Sequence, residues 1–153
     1  MQGKEILDIL SMDYFVKKYL HGIYARDQLV NLKIKFRPAL LILNTDRLKG
    51  KGQHWCSIWL DTFGHLSVYF DSFGLPVDIY PEIKAFLSKN SKFTKTNKFC
   101  LQHPHSNTCG LYVIYFSKYI CRGYDLDTII AKFPLKYRCT SMNINQILYD
   151  ELM

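Results

Sequence analysis

Apolar positions recur at helical spacing near the start of the chain, with Ile6, Leu7, Ile9 and Leu10 followed by Phe15, Val16, Tyr19 and Leu20. This pattern predicts helix over residues 4–20, with Ser11 or Asp13 capping a second short helix. Ala39 to Leu43 is an unbroken apolar run after Pro38 and reads as a buried strand, and the Gly- and Lys-rich stretch 46–53 reads as a loop. Two β-prone runs, His54 to Leu60 and Leu66 to Phe70, flank Asp61-Thr62-Phe63-Gly64 and predict a hairpin. Residues 79–89 suit an amphipathic helix, with Pro81 in its first turn and Ile83, Phe86 and Leu87 facing inward.

Residues 98–102 are expected to form a strand. Cys109 to Ile120 is apolar almost throughout, as a central buried helix would be. Helices over 125–132, opened by Asp125 or Asp127, and over 141–152 complete the chain. The expected fold class is α+β, with helices on one side of a small mixed or antiparallel sheet. No repeat or linker interrupts the 153 residues, so one domain over 1–153 is expected.

The hairpin has a chemical consequence. If Asp61 pairs with Gly64 around a two-residue turn, His54 lies directly across from Asp71, bringing a base to a carboxylate. A longer loop would shift that register. The second element is Asn107-Thr108-Cys109-Gly110, a polar turn opening the apolar helix. A thiol in the first turn of a helix meets unsatisfied N–H groups and the positive end of the dipole, which favour the thiolate. Gly110 leaves room for a substrate or a neighbouring strand, and the Cys109 N–H and Gln102 are candidate oxyanion donors.

Composition adjusts the picture modestly. Five cysteines, Cys56, Cys100, Cys109, Cys121 and Cys139, are an odd, scattered set that argues against a secreted disulfide framework. There is no apolar run long enough to span a membrane and no secretory leader pattern, so an intracellular protein is expected. A formal charge of +7 favours contact with something acidic, nucleic acid included.

Taken together, Asn44-Thr45, Gly52-Gln53-His54-Trp55, Tyr69-Phe70-Asp71-Ser72-Phe73-Gly74 and Gln102 followed by Cys109-Gly110-Leu111 resemble the adenovirus endopeptidases. They resemble the SUMO-specific proteases of the same clan more distantly. The order His, acid, Gln, Cys and the gap from Gln102 to Cys109 carry the likeness, which covers roughly residues 20–120. It implies His54 as general base, Asp71 as its partner, Gln102 in the oxyanion hole and Cys109 as nucleophile. It also implies that Trp55 walls a narrow tunnel admitting glycine beside the scissile bond. The acid is Asp where the adenovirus enzymes carry Glu, and the chain is shorter than theirs.

What the resemblance implies about function is cleavage after glycine-containing motifs in viral or virus-like capsid precursors, by a monomer in the host nucleus or virion. No cofactor is required for the chemistry, with DNA and a viral peptide as activators. The rival readings are an isopeptidase for ubiquitin-like proteins, an acetyltransferase on the same triad, and a basic nucleic-acid-binding virion protein with a silent thiol. A zinc cluster of Cys100, His103, His105 and Cys109 is the alternative chemistry for the same segment.

Overall fold

A computed structural model describes residues 1–103 and 105–133. The helix expected over 141–152, and Cys139, lie outside the described residues. A five-stranded mixed sheet runs in the order β1 (Leu20–Ala25), β2 (Ala39–Asn44), β3 (Trp55–Leu60), β4 (Leu66–Phe70), β5 (Phe93–Thr96). β3 is antiparallel to both of its neighbours, β2 and β4, and each edge strand is parallel to its neighbour. The helices are α1 (Gly3–Met12), α2 (Val16–Tyr19), α3 (Pro81–Asn90), α4 (Cys109–Ile120) and α5 (Leu126–Ala131).

The α+β class holds, but the helices cover both faces of the sheet rather than one. The apolar run of β2 shows why. Leu40 and Ile42 pack into a core shared with α1, α4 and α5, while Ala39, Leu41 and Leu43 pack into a second core with α3. A strand buried on both faces loses its polar alternation and becomes a continuous hydrophobic run.

Local chemistry sets the helix boundaries. The Asp13 carboxylate accepts the Phe15 and Val16 amides where α2 begins, and Asp125 accepts the Thr128 amide at the start of α5. Pro81 opens α3, whose Ile83, Phe86 and Leu87 are its buried face. Among the described residues no helix is long and apolar enough to cross a membrane.

Two strands depart from expectation. β1 is mostly half-buried, with His21 and Gly22 breaking any apolar rhythm. The strand expected at 98–102 lies instead at Phe93–Thr96, a largely exposed edge of alternating polarity held to Ser67 through the Thr94 hydroxyl at 2.8 Å. Residues 98–102 are an irregular loop, in which the Leu101 and Gln102 amides donate to the Ser72 carbonyl at 2.8 and 3.0 Å.

The hairpin register also differs, by two residues. Leu60 pairs with Ser67, and the Asp61 amide donates to the Leu66 carbonyl, leaving a four-residue loop. The Asp61 carboxylate accepts the His65 and Leu66 amides, a side-chain turn that a two-residue connection would not allow. A shift of two preserves the facing of every side chain.

α4 is the central helix, with Phe116 stacked on Phe70 at a centroid separation of 4.6 Å, both rings fully buried. Phe70 immediately precedes Asp71, so this contact fixes the helix against the end of β4. Phe116→Ala is expected to destabilise the fold by about 3–5 kcal/mol, measured as a lowered urea midpoint with an unchanged slope.

Candidate active site

The site forms at the end of the sheet where β3 begins and β4 ends. His54 precedes β3 and Asp71 follows β4, so both lie just outside the ladder. Continuing the observed register by one step sets Asp71 opposite Cys56, with His54 two residues further along the same face. The longer loop therefore makes His54 and Asp71 diagonal neighbours instead of direct partners, and they still meet. His54 Nε2 is 2.6 Å from Asp71 Oδ1, with His54 7% and Asp71 1% exposed.

Asp71 is held on several sides. Its Oδ1 also accepts the Phe73 amide at 2.8 Å. Asn97 clasps its backbone, accepting the Asp71 N–H at 3.0 Å and donating to its carbonyl at 2.5 Å. The turn closes through the Gly74 amide on the Asp71 carbonyl, with Gly74 at φ +67°. A Cβ at Gly74 would fall 2.7 Å from the Phe99 carbonyl oxygen, so glycine is required there. Phe73 stacks on the His54 ring at 4.6 Å between centroids and restrains the imidazole from the other side.

Two thiols contact this imidazole. Cys56 is fully buried and accepts the Tyr69 hydroxyl at 3.3 Å, and burial raises its pKa, so it stays a neutral thiol. Cys109 is part-exposed at the first position of α4. Burial alone would raise its pKa, but the hydrogen bond with His54, with the Trp55 and Gly110 backbone groups and the positive imidazole, more than offsets it. Burial likewise opposes charge on His54, yet its hydrogen bonds to Asp71, Cys109 and Cys56 push the imidazole up to about 12. The result favours a Cys109 thiolate beside a His54 imidazolium, and Cys109, not Cys56, combines thiolate character with access.

Gln102 is 1% exposed, and its side-chain carbonyl accepts the Ser72 hydroxyl at 2.5 Å. The amide nitrogen donates to the Ser106 carbonyl at 3.0 Å, and because a carbonyl can only accept, this bond fixes the amide flip and leaves one N–H for another acceptor. Gln102, His54, Trp55 and Cys109 line one open cleft of about 730 Å³. The Cys109 N–H is the first amide of α4 and has no carbonyl one turn back within the helix to bond.

Trp55 borders the cleft, and its indole donates to the Met1 carbonyl at 3.1 Å. Gly110 is placed differently from expectation. A Cβ there would meet the Met1 sulfur at 3.0 Å and Ile6 at 3.4 Å, so its missing side chain makes room for the N-terminal segment.

The quartet of the alternative zinc reading is not gathered among the described residues. Cys100 Sγ donates to the Gln102 carbonyl at 3.0 Å, and His103 Nδ1 accepts the His105 amide at 3.2 Å. Among the described residues the three donors close enough to share an ion are His54, Cys56 and Asp71, within 4.8 Å of one another. Asn97 escaped the sequence reading altogether, and Cys56, Ser72 and Phe73 were noted there without the contacts they make at the site. Only the repeated turn formers after Asp71 hinted that its neighbourhood was built rather than incidental.

Alkylation separates the two thiols. Iodoacetamide is expected to label Cys109 and spare Cys56 in the folded protein, read by peptide mass mapping. Because the Cys109 pKa is lowered, its labelling rate should persist to more acidic pH than that of an ordinary thiol, near 8.5. Asp71→Asn should move the inflection of that rate back upward.

No family model matches the chain, and no curated protein matches it in sequence. Among solved structures it is similar to the ASFV pS273R protease, with a TM-score of 0.55 and 19% identity over 89% of this chain and 61% of that one. A selenomethionine form of that protease is similar over 73% of this chain and 43% of its own, at 23% identity and a TM-score of 0.43. ChlaDub1 from Chlamydia trachomatis is similar over 64% and 44% respectively, at 18% identity and a TM-score of 0.46. The chain thus spans 61% of the length of the ASFV pS273R protease, with which it shares the mixed-sheet α+β fold of the SUMO-protease type.

Proposed function

We propose that this chain is a cysteine peptidase that cleaves after glycine, with Cys109 as nucleophile, His54 as general acid and base, and Asp71 as the residue that orients His54. The single observation that carries the reading is the convergence of a buried His54–Asp71 bond on the part-exposed Cys109 thiol, in an open cleft. An imidazole fixed by a carboxylate and paired with an accessible thiol is the arrangement that thiol acyl transfer needs.

In the proposed reaction the Cys109 thiolate attacks the scissile carbonyl carbon and forms a C–S bond. The oxyanion is received by the Cys109 N–H and the remaining N–H of the Gln102 amide. Collapse breaks the C–N bond as His54 passes its proton to the leaving amine. Water, deprotonated by His54, then attacks the thioester, releasing the acid and returning the thiolate–imidazolium pair. Trp55, beside the nucleophile, is the residue we assign to exclude side chains next to the scissile bond.

The substrates we propose are precursor polypeptides of a virus or virus-like element, with the chain acting as a monomer. The resemblance of the site motifs to the adenovirus endopeptidases supports this, as does the fold shared with the ASFV pS273R protease. DNA, supported by the net charge of +7, and an activating peptide enter as modulators outside the chemistry.

The test is cleavage of a glycine-containing peptide library, followed by kinetics on the best member. Cys109→Ala should abolish turnover. Gln102→Ala should lower kcat by roughly 10²–10³ with KM little changed, as expected when one oxyanion donor is lost. Wild-type turnover that survives Cys109→Ala would overturn the assignment.

A further inference from the structure

The charges around the nucleophile are one-sided. Among the described residues lining the Cys109 cleft there is no Asp or Glu, while Arg47 and Lys51 line it from the loop between β2 and β3. The acids of that neighbourhood are turned onto the backbone. Asp46 accepts the Arg47 amide at 2.8 Å and the Gly52 amide at 3.1 Å, and Asp27 accepts the Leu48 amide at 2.9 Å. Asn44 completes the loop by accepting the Asp46 and Gln53 amides.

Two glycines let the loop wrap its own carboxylate. A Cβ on Gly50 would lie 2.0 Å from Asp46, and Gly52 sits at φ +87°. The loop thus satisfies its negative groups internally and leaves its cations outside. Arg47 is 66% exposed and its one ion pair among the described residues is a 3.9 Å contact to Glu82, which Arg26 also approaches at 3.9 Å. Lys51 is exposed and forms no ion pair among the described residues.

Resting on the peptidase reading above, we propose that Arg47 and Lys51 are specificity-determining residues that select peptides with acidic side chains close to the scissile glycine. A cleft lined by one sign of charge concentrates ligands of the opposite sign and disfavours those of its own. Each exposed pair is worth up to about fivefold, so the two together give roughly three- to tenfold discrimination, weakening as salt rises.

The experiment measures labelling of Cys109 by peptidyl-glycine electrophiles that differ only in carrying Glu, Gln or Lys at each of the three positions before the glycine. Neutral iodoacetamide serves as the reference for intrinsic thiol reactivity. Expected is an order Glu over Gln over Lys at one or more positions, compressed at high ionic strength and inverted in the Arg47→Glu, Lys51→Glu double variant. The Lys89→Glu, Lys92→Glu double variant, at two exposed positions outside the cleft, makes the same change in total charge and should leave the order intact. Equal rates for Glu and Lys peptides alongside rapid iodoacetamide labelling would overturn the specificity proposal and leave the peptidase reading standing. Iodoacetamide labelling no faster than that of an ordinary cysteine would remove both.

Discussion

The contact between His54 Nε2 and Asp71 Oδ1, 2.6 Å long and almost wholly shielded from water, constrains everything else at this end of the molecule. Its two residues belong to separate strands and stand one step beyond the ladder, so backbone pairing alone does not hold them. Burying a carboxylate is costly unless it is hydrogen-bonded, and the surrounding structure meets that cost through one of its two oxygens. The Phe73 amide joins His54 on Asp71 Oδ1, while Oδ2 has no hydrogen-bond partner among the described residues. The Asn97 clasp fixes the Asp71 backbone, and the Phe73 ring and the two thiols restrain His54.

The four residues Asp71 to Gly74 serve two parts of the site at once. Asp71 binds the imidazole. Ser72 accepts the Leu101 and Gln102 amides on its carbonyl and donates its hydroxyl to the Gln102 side chain. Tyr112, in α4, donates its hydroxyl to the Leu101 carbonyl at 3.0 Å and ties the same loop to the helix that carries Cys109. The acid, the amide and the thiol are therefore coupled through one turn. A distortion there would disturb all three, which gives local geometry an influence beyond any single hydrogen bond.

Much of this was legible in the sequence. Strong periodicity or unbroken apolarity marked α1, β2, α3 and α4, and the polar punctuation of Asp13, Pro81 and Asp125 marked where helices begin. The edge strands were not legible. β1 carries His21 and Gly22, and β5 reads Phe-Thr-Lys-Thr, so neither buries enough apolar surface to impose a pattern. The meeting of His54 and Asp71 was anticipated from a tighter turn than the one formed. It survives because the register moved by an even number of residues. Asp61, which accepts two amides of its own loop, is the residue that set the register and whose role sequence spacing did not disclose. The clasp of Asn97 and the placement of Cys56 depend on contacts between distant segments, which no local pattern encodes.

Cys56 also explains how one imidazole can stand beside two thiols without ambiguity. Both sulfurs reach His54, but they differ in what else surrounds them. Cys56 lies in the α3-side core under the Tyr69 hydroxyl, where a negative charge would be desolvated and would face the Asp71 carboxylate. Cys109 sits at a helix start, with backbone groups of Trp55 and Gly110 directed at its sulfur and a cleft before it. The same histidine therefore promotes ionisation of one thiol while the fold suppresses that of the other. Environment, not distance to the imidazole, makes the choice.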